Sequence, residues 1–109
     1  MSHITPTVGR KVWYRPTAYD KSGPGGIQCW GTPPQPVDAT VIAVNSDRNV
    51  NLFIVDHAGR THVRTSVLLL QDNDDPARDT DGNDTGGYAE WMPYQLGQAK
   101  REAEHPAQA

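Results

Sequence analysis

The chain has 109 residues and a mass of 12.0 kDa, enough for one domain with a single small core. A hydrophobic share of 36% and a mean hydropathy of −0.68 leave no apolar run near the roughly 18 residues that a membrane-spanning helix needs. A lone cysteine, Cys29, excludes an intramolecular disulfide and a cysteine-based zinc cage, and a net charge of −3 does not suit a nucleic-acid partner.

Residues 1–8 read as an unstructured lead, without the apolar middle of a signal peptide, so a soluble cytoplasmic protein is expected. Val8–Pro16 then reads as a first strand, with Val12 and Tyr14 on one face and Lys11, Trp13 and Arg15 on the other. Pro16 ends it, because proline has no N–H to donate to the ladder. A long connection, Thr17–Pro36, follows, with Pro/Gly runs and the aromatics Tyr19 and Trp30. Loops of this length in compact domains are often functional.

Residues 37–70 hold most of the aliphatic side chains and read as a three-stranded antiparallel meander. In its first strand Val37, Ala39, Val41 and Ala43 share a face, and Ile42 and Val44 make the other face apolar too, as for a strand entering the core. Val50, Leu52 and Ile54 share the core face of the next strand. Asn45–Asn49 and Asp56–Gly59 supply turn chemistry between the strands. In the third strand, unbroken alternation puts Thr61, Val63, Thr65 and Val67 inside and His62, Arg64 and Ser66 outside. Gln71–Gly87 is an acidic, Gly- and Asp-rich loop, Tyr88–Tyr94 a last short strand with an aromatic plug, and residues 95–109 a tail that suits a short helix.

Short strands around a tight meander indicate an all-β fold, a small SH3-like barrel over residues 9–94 in a single domain spanning 1–109. A small open sandwich is the alternative. In the barrel, the first long loop and the loop before the last strand flank one groove. Free strand edges on so small a barrel suggest a homo-oligomer.

No catalytic motif stands out, and a non-enzymatic protein without cofactor is expected. Asp56, His57 and His62 flank one turn but lack further metal-ligand spacing, and the pairing of Cys29 with His62 has no local nucleophile signature. The acidic loop fails the calcium-loop register, since counting back from Gly82 puts Ala77 where an Asp belongs. Asn83 opens a formal glycosylation sequon with no secretion signal to give it meaning. What remains is an aromatic-plus-cation surface: Trp13, Trp30 and Trp91 for stacking, with Arg15, His62 and Arg64 for charge. Such a set suits an anionic, nucleotide-like ligand, against the plainer alternative of a solvated strand face.

Three stretches, Thr5–Val12, the meander ending in His62–Val67, and Glu90–Gln95, together resemble a family of short proteins from tailed phages and prophages. The resemblance implies a phage or prophage setting and a cytoplasmic accessory role, with no catalytic residues to carry over. Two functions fit. One is counter-defence, by sequestering a nucleotide-type signalling molecule or blocking a host protein. The other is a minor virion or assembly component, with single-strand nucleic-acid binding a weaker variant.

Overall fold

The computed structural model describes residues 3–71, 74–76, 78–82 and 84–104. Five strands, β1 (Lys11–Arg15), β2 (Val37–Ser46), β3 (Asn49–Val55), β4 (Thr61–Leu69) and β5 (Tyr88–Glu90), close into a barrel. Two helices accompany them, α1 (Ala18–Lys21) and α2 (Pro93–Glu104). β1 to β4 run antiparallel to their neighbours, β5 lies antiparallel to β1, and a short parallel contact of Leu68 and Leu69 with β5 completes the ring. This is a small all-β barrel of the SH3-like type. No helix among the described residues is long and apolar enough to cross a membrane.

The core is built by period-two alternation. Val12 and Tyr14 of β1, Val37, Ala39 and Val41 of β2, and Val50, Leu52 and Ile54 of β3 all point inward and are buried. Removing each fully buried Leu or Ile side chain from water is worth about 1.5–3 kcal/mol. β2 does not become apolar on both sides of the core, however. A bulge between Val41 and Ala43 and another between Val44 and Ser46 twist its second half, and Ile42 and Val44 are exposed.

β4 reverses the face pattern that unbroken alternation predicts. Leu52 pairs with Arg64 and Val50 with Val67, so two β4 residues, Thr65 and Ser66, lie opposite the single residue Asn51. Ser66 takes a positive φ of 53° at this bulge, and its N–H donates to Asn51 Oδ1 at 2.9 Å. The extra residue shifts the phase by one. Val67 and Leu69 stay inside, but His62 and Arg64 share the face of Ile54 and Leu52, while Thr61, Val63 and Thr65 are exposed.

The supposed lead is also part of the body. Ile4 is buried, and its backbone is clamped on both sides by the Gln71 amide: Ile4 N–H donates to Oε1 at 3.1 Å and Nε2 donates to Ile4 O at 2.7 Å. The same Oε1 accepts from Trp91 Nε1 at 3.1 Å, and Nε2 also donates to Asp47 O at 2.9 Å, so this buried amide is fully used. Pro93 opens α2 in the first-turn position that proline tolerates. Gln95 fixes the helix start by accepting from Met92 N–H and donating to Lys11 O. Residues 105–109 of the expected tail, along with Ala77 and Asn83, lie outside the described residues.

Closure takes up most of the free edge on which the expectation of self-association rests. Strand pairing on one side alone persists over the Thr61–Val67 part of β4 and the Ala43–Ser46 end of β2.

Candidate functional site

Two buried or half-buried carboxylates organise the connection between β1 and β2. The first is Asp20. Thr17 and Asp20 form a capping box at the start of α1, each side chain bonding the other's backbone N–H at 3.0 Å. The Asp20 carboxylate also accepts from Tyr14 Oη at 2.6 Å and from Arg64 Nε at 3.0 Å. Burial opposes its charge, but the Tyr14, Thr17 and Arg64 donors outweigh that and hold its pKa below the usual carboxylate value. Burial and the Asp20 carboxylate push the Tyr14 hydroxyl the other way, well above an ordinary phenol.

The second is Asp56, in the β3–β4 turn and 4% exposed. Its Oδ1 accepts from Ala58 N–H at 3.0 Å and Arg60 N–H at 2.9 Å, which shapes the turn. Its Oδ2 accepts from Gln28 N–H at 3.0 Å and His62 Nε2 at 2.9 Å, which ties the long connection to the barrel. Burial again disfavours the charge, yet four donors hold the carboxyl far below the usual range.

His62 and Arg64 therefore do not point outward as a charged surface. They are the barrel's grips on Asp56 and Asp20. Trp91 is likewise core, 3% exposed, with its indole N–H on Gln71 and the Arg10 guanidinium 5.6 Å from its ring centroid. The connection is thus an ordered strap instead of a structureless loop.

Anchoring that strap leaves a cleft of about 260 Å³ between it and the segment before β5. Arg15 and Pro16 form its floor at the end of β1, with Lys21 from α1 and Cys29, Pro33, Pro34 and Gln35 from the strap on one side. Asp84 and Gly86 close the other side. Gly86 is needed there: its φ is +73°, and a Cβ would collide with the Pro16 carbonyl. Gly87 N–H then donates to Arg15 O at 2.6 Å, seating this segment against β1.

The cleft lining carries two cations, Arg15 and Lys21, and one carboxylate, Asp84. Asp84 is occupied, accepting from Gly86 N–H and from the Tyr88 hydroxyl, whose pKa is raised by burial and by that bond. Lys21 has no ion-pair partner among the described residues. Arg15 donates through one terminal nitrogen to Glu90 at 3.2 Å, and its guanidinium lies 6.0 Å from the Trp13 ring centroid. Its Nε is buried without a hydrogen-bond partner among the described residues. Two cations lining one cleft, Lys21 without an ion-pair partner among the described residues, make an arrangement that an anion can complement.

Of the six residues expected to form the site, Arg15 lines the cleft, Trp13 flanks Arg15, and Trp30 sits on the strap between Cys29 and Gly31, 57% exposed. Lys21, Cys29, Gln35 and Asp84 were not expected there. Their approach is set by the two carboxylate anchors, although the Thr17–Asp20 capping box that fixes Lys21 is visible as a local pattern. Cys29 and His62 do not form a pair: Cys29 Sγ donates to Gln35 O at 2.6 Å, and His62 is held by Asp56. Among the described residues no three His, Cys, Asp or Glu side chains are placed to share a metal ion.

Fold and site together define a small closed β-barrel with a strapped, cation-lined cleft. Comparison of the chain with protein-family models, with curated proteins and with solved structures finds no match.

Proposed function

We propose that this chain is a non-enzymatic binding protein that captures a small anionic ligand in the cleft between the strap and the segment before β5. The observation that carries the reading is the pair of cations, Arg15 and Lys21, that line one cleft together with Pro16, Pro33 and Pro34. A cavity of about 260 Å³ lies just below the ~300–1,000 Å³ of typical ligand pockets, which favours a molecule no larger than a mononucleotide. Tyr14, Asp20, Asp56 and His62, buried or half-buried titratable groups that anchor the strap, are committed to structural hydrogen bonds, so capture suits the site better than turnover. Within the phage or prophage setting implied by the resemblance, capture of a nucleotide-type signal would serve counter-defence in the host cytoplasm.

Calorimetric titration with adenosine 5′-monophosphate as the probe tests this. A charge-assisted bond is worth about 1.5–3 kcal/mol, so Lys21→Ala should weaken binding roughly tenfold or more. Heat-silent titrations of the wild type with the nucleotide and with inorganic phosphate would sink the proposal. A second reading, docking to a host protein, draws on Tyr19 and Trp30, which stand 87% and 57% exposed on the same strap.

A further inference from the structure

His57 is the third attachment of the strap, and its geometry depends on protonation state. Its Nδ1 accepts the Trp30 backbone N–H at 2.7 Å, and its Nε2 lies 3.0 Å from Pro36 O. A backbone N–H is a donor and a carbonyl is an acceptor, so Nδ1 must carry a lone pair and Nε2 the proton. That describes one species, the neutral Nε2–H tautomer. The His57 N–H also donates to Gln28 O at 3.0 Å, and the Trp30 and His57 rings lie 5.9 Å apart.

The segment held in this way is also bonded internally. Gln35 N–H donates to Trp30 O at 3.0 Å, and Cys29 Sγ donates to Gln35 O, closing residues 29–35 on themselves. Cys29, Pro33, Pro34 and Gln35 are the strap wall of the cleft. We infer that His57 is a proton-operated latch: neutral imidazole holds this wall against the barrel, and protonation releases it.

The physical step is a reversal at one atom. Adding a proton to Nδ1 turns the acceptor facing Trp30 N–H into a donor, and two donors cannot stay 2.7 Å apart. The closed arrangement therefore accepts only the neutral ring, so acidification works against it. Imidazole is the ordinary side chain that changes charge between about pH 5 and 8.

The titratable or charged groups of the elements around His57 are Cys29 on the strap, Asp38 on β2, Asp56 and Arg60 in its own turn, and His62 on β4. Each is engaged elsewhere: Cys29 with Gln35, Asp38 with Lys11, Arg60 with Pro24 O, and His62 with Asp56. None of them hydrogen-bonds the imidazole, whose two nitrogens face Trp30 N–H and Pro36 O. The latch makes the cleft a site that opens on acidification, a consequence for ligand capture that rests on the function proposed above.

The test uses the full chain without ligand, so a failed nucleotide titration and a failed latch are separate results. Amide exchange at Trp30, corrected for the intrinsic pH dependence, is compared at about pH 7.5 and about pH 5. Wild type should lose roughly tenfold protection on acidification, the worth of one hydrogen bond. His62→Gln, which weakens the hold on Asp56 and so lowers protection at every pH, should keep the wild-type pH response, and His57→Gln, whose amide offers an acceptor and a donor but does not titrate, should show no pH response. Unchanged protection in wild type, an equal fall in His57→Gln, or a response abolished by His62→Gln would each overturn the latch. Imidazole ¹⁵N shifts of the wild type give a reading that needs no variant. At neutral pH they should show His57 bare at Nδ1 and protonated at Nε2, and any other state there refutes the inference.

Discussion

Replacing Asp56 by alanine is the most informative perturbation of the fold, because one carboxylate holds both the β3–β4 turn and the strap. Four donors lose their acceptor: the N–H groups of Ala58 and Arg60, which water can reach, and those of Gln28 and His62, which are half-buried. The exposed pair is resolvated at small cost. The other two lose charge-assisted bonds of about 1.5–3 kcal/mol each, so the expected loss is about 3–6 kcal/mol. For a domain of this size that lowers Tm by more than about 12 °C and consumes a large part of a total stability of about 5–15 kcal/mol. Asp56→Asn keeps an acceptor for one side of the network and should fall between alanine and wild type. The pH dependence has a fixed sign. The unfolded Asp56 carboxyl takes up its proton near pH 4, before the folded one does, so its stabilisation is complete above that value and is lost as the pH falls further. Urea unfolding of the three proteins at neutral pH, and of wild type from about pH 6 down to 2, checks both statements. A loss below about 1 kcal/mol in Asp56→Ala would show that the carboxylate does not anchor the strap.

Further outcomes follow from the packing. Leu52, fully buried at the centre of β3, should cost about 2–5 kcal/mol when cut to alanine, measured by thermal or urea unfolding. Arg64→Ala should destabilise by about 1–2 kcal/mol and raise proteolytic cleavage within residues 17–36, because it frees Asp20 from a partly exposed pair. Gly86→Ala should lose about 1–3 kcal/mol, since its backbone conformation and the Pro16 carbonyl both reject a Cβ.

The sequence made the inner faces of β1 and β3 legible, because apolar residues alternate there without interruption: Val12 and Tyr14, then Val50, Leu52 and Ile54. The phase of β4 was not legible. Alternation extended back from Val67 puts His62 and Arg64 outside, and nothing local in Thr65-Ser66 marks the inserted residue that reverses them. The cleft was half legible. Strand order alone brings the strap and the segment before β5 to the same end of β1, and Arg15 follows from its place on that strand. Lys21 and Cys29 reach the cleft through bonds between residues 28 to 44 positions apart, Gln28 to Asp56 and Asp20 to Arg64, which no short window contains. Trp91 illustrates the opposite failure, since an aromatic beside proline reads equally well as plug or as platform until its indole finds Gln71.

The central claim is that the cleft is where this protein meets its ligand. Titrating ¹⁵N-labelled chain with adenosine 5′-monophosphate and following backbone amides tests it most directly. Saturable shifts should centre on Arg15, Lys21, Cys29, Gln35 and Gly86, and should vanish in a Lys21→Ala, Arg15→Gln double variant that keeps the wild-type spectrum elsewhere. Shifts centred on the exposed meander face at Phe53 and Val63, or no saturable shifts at all, would contradict the account.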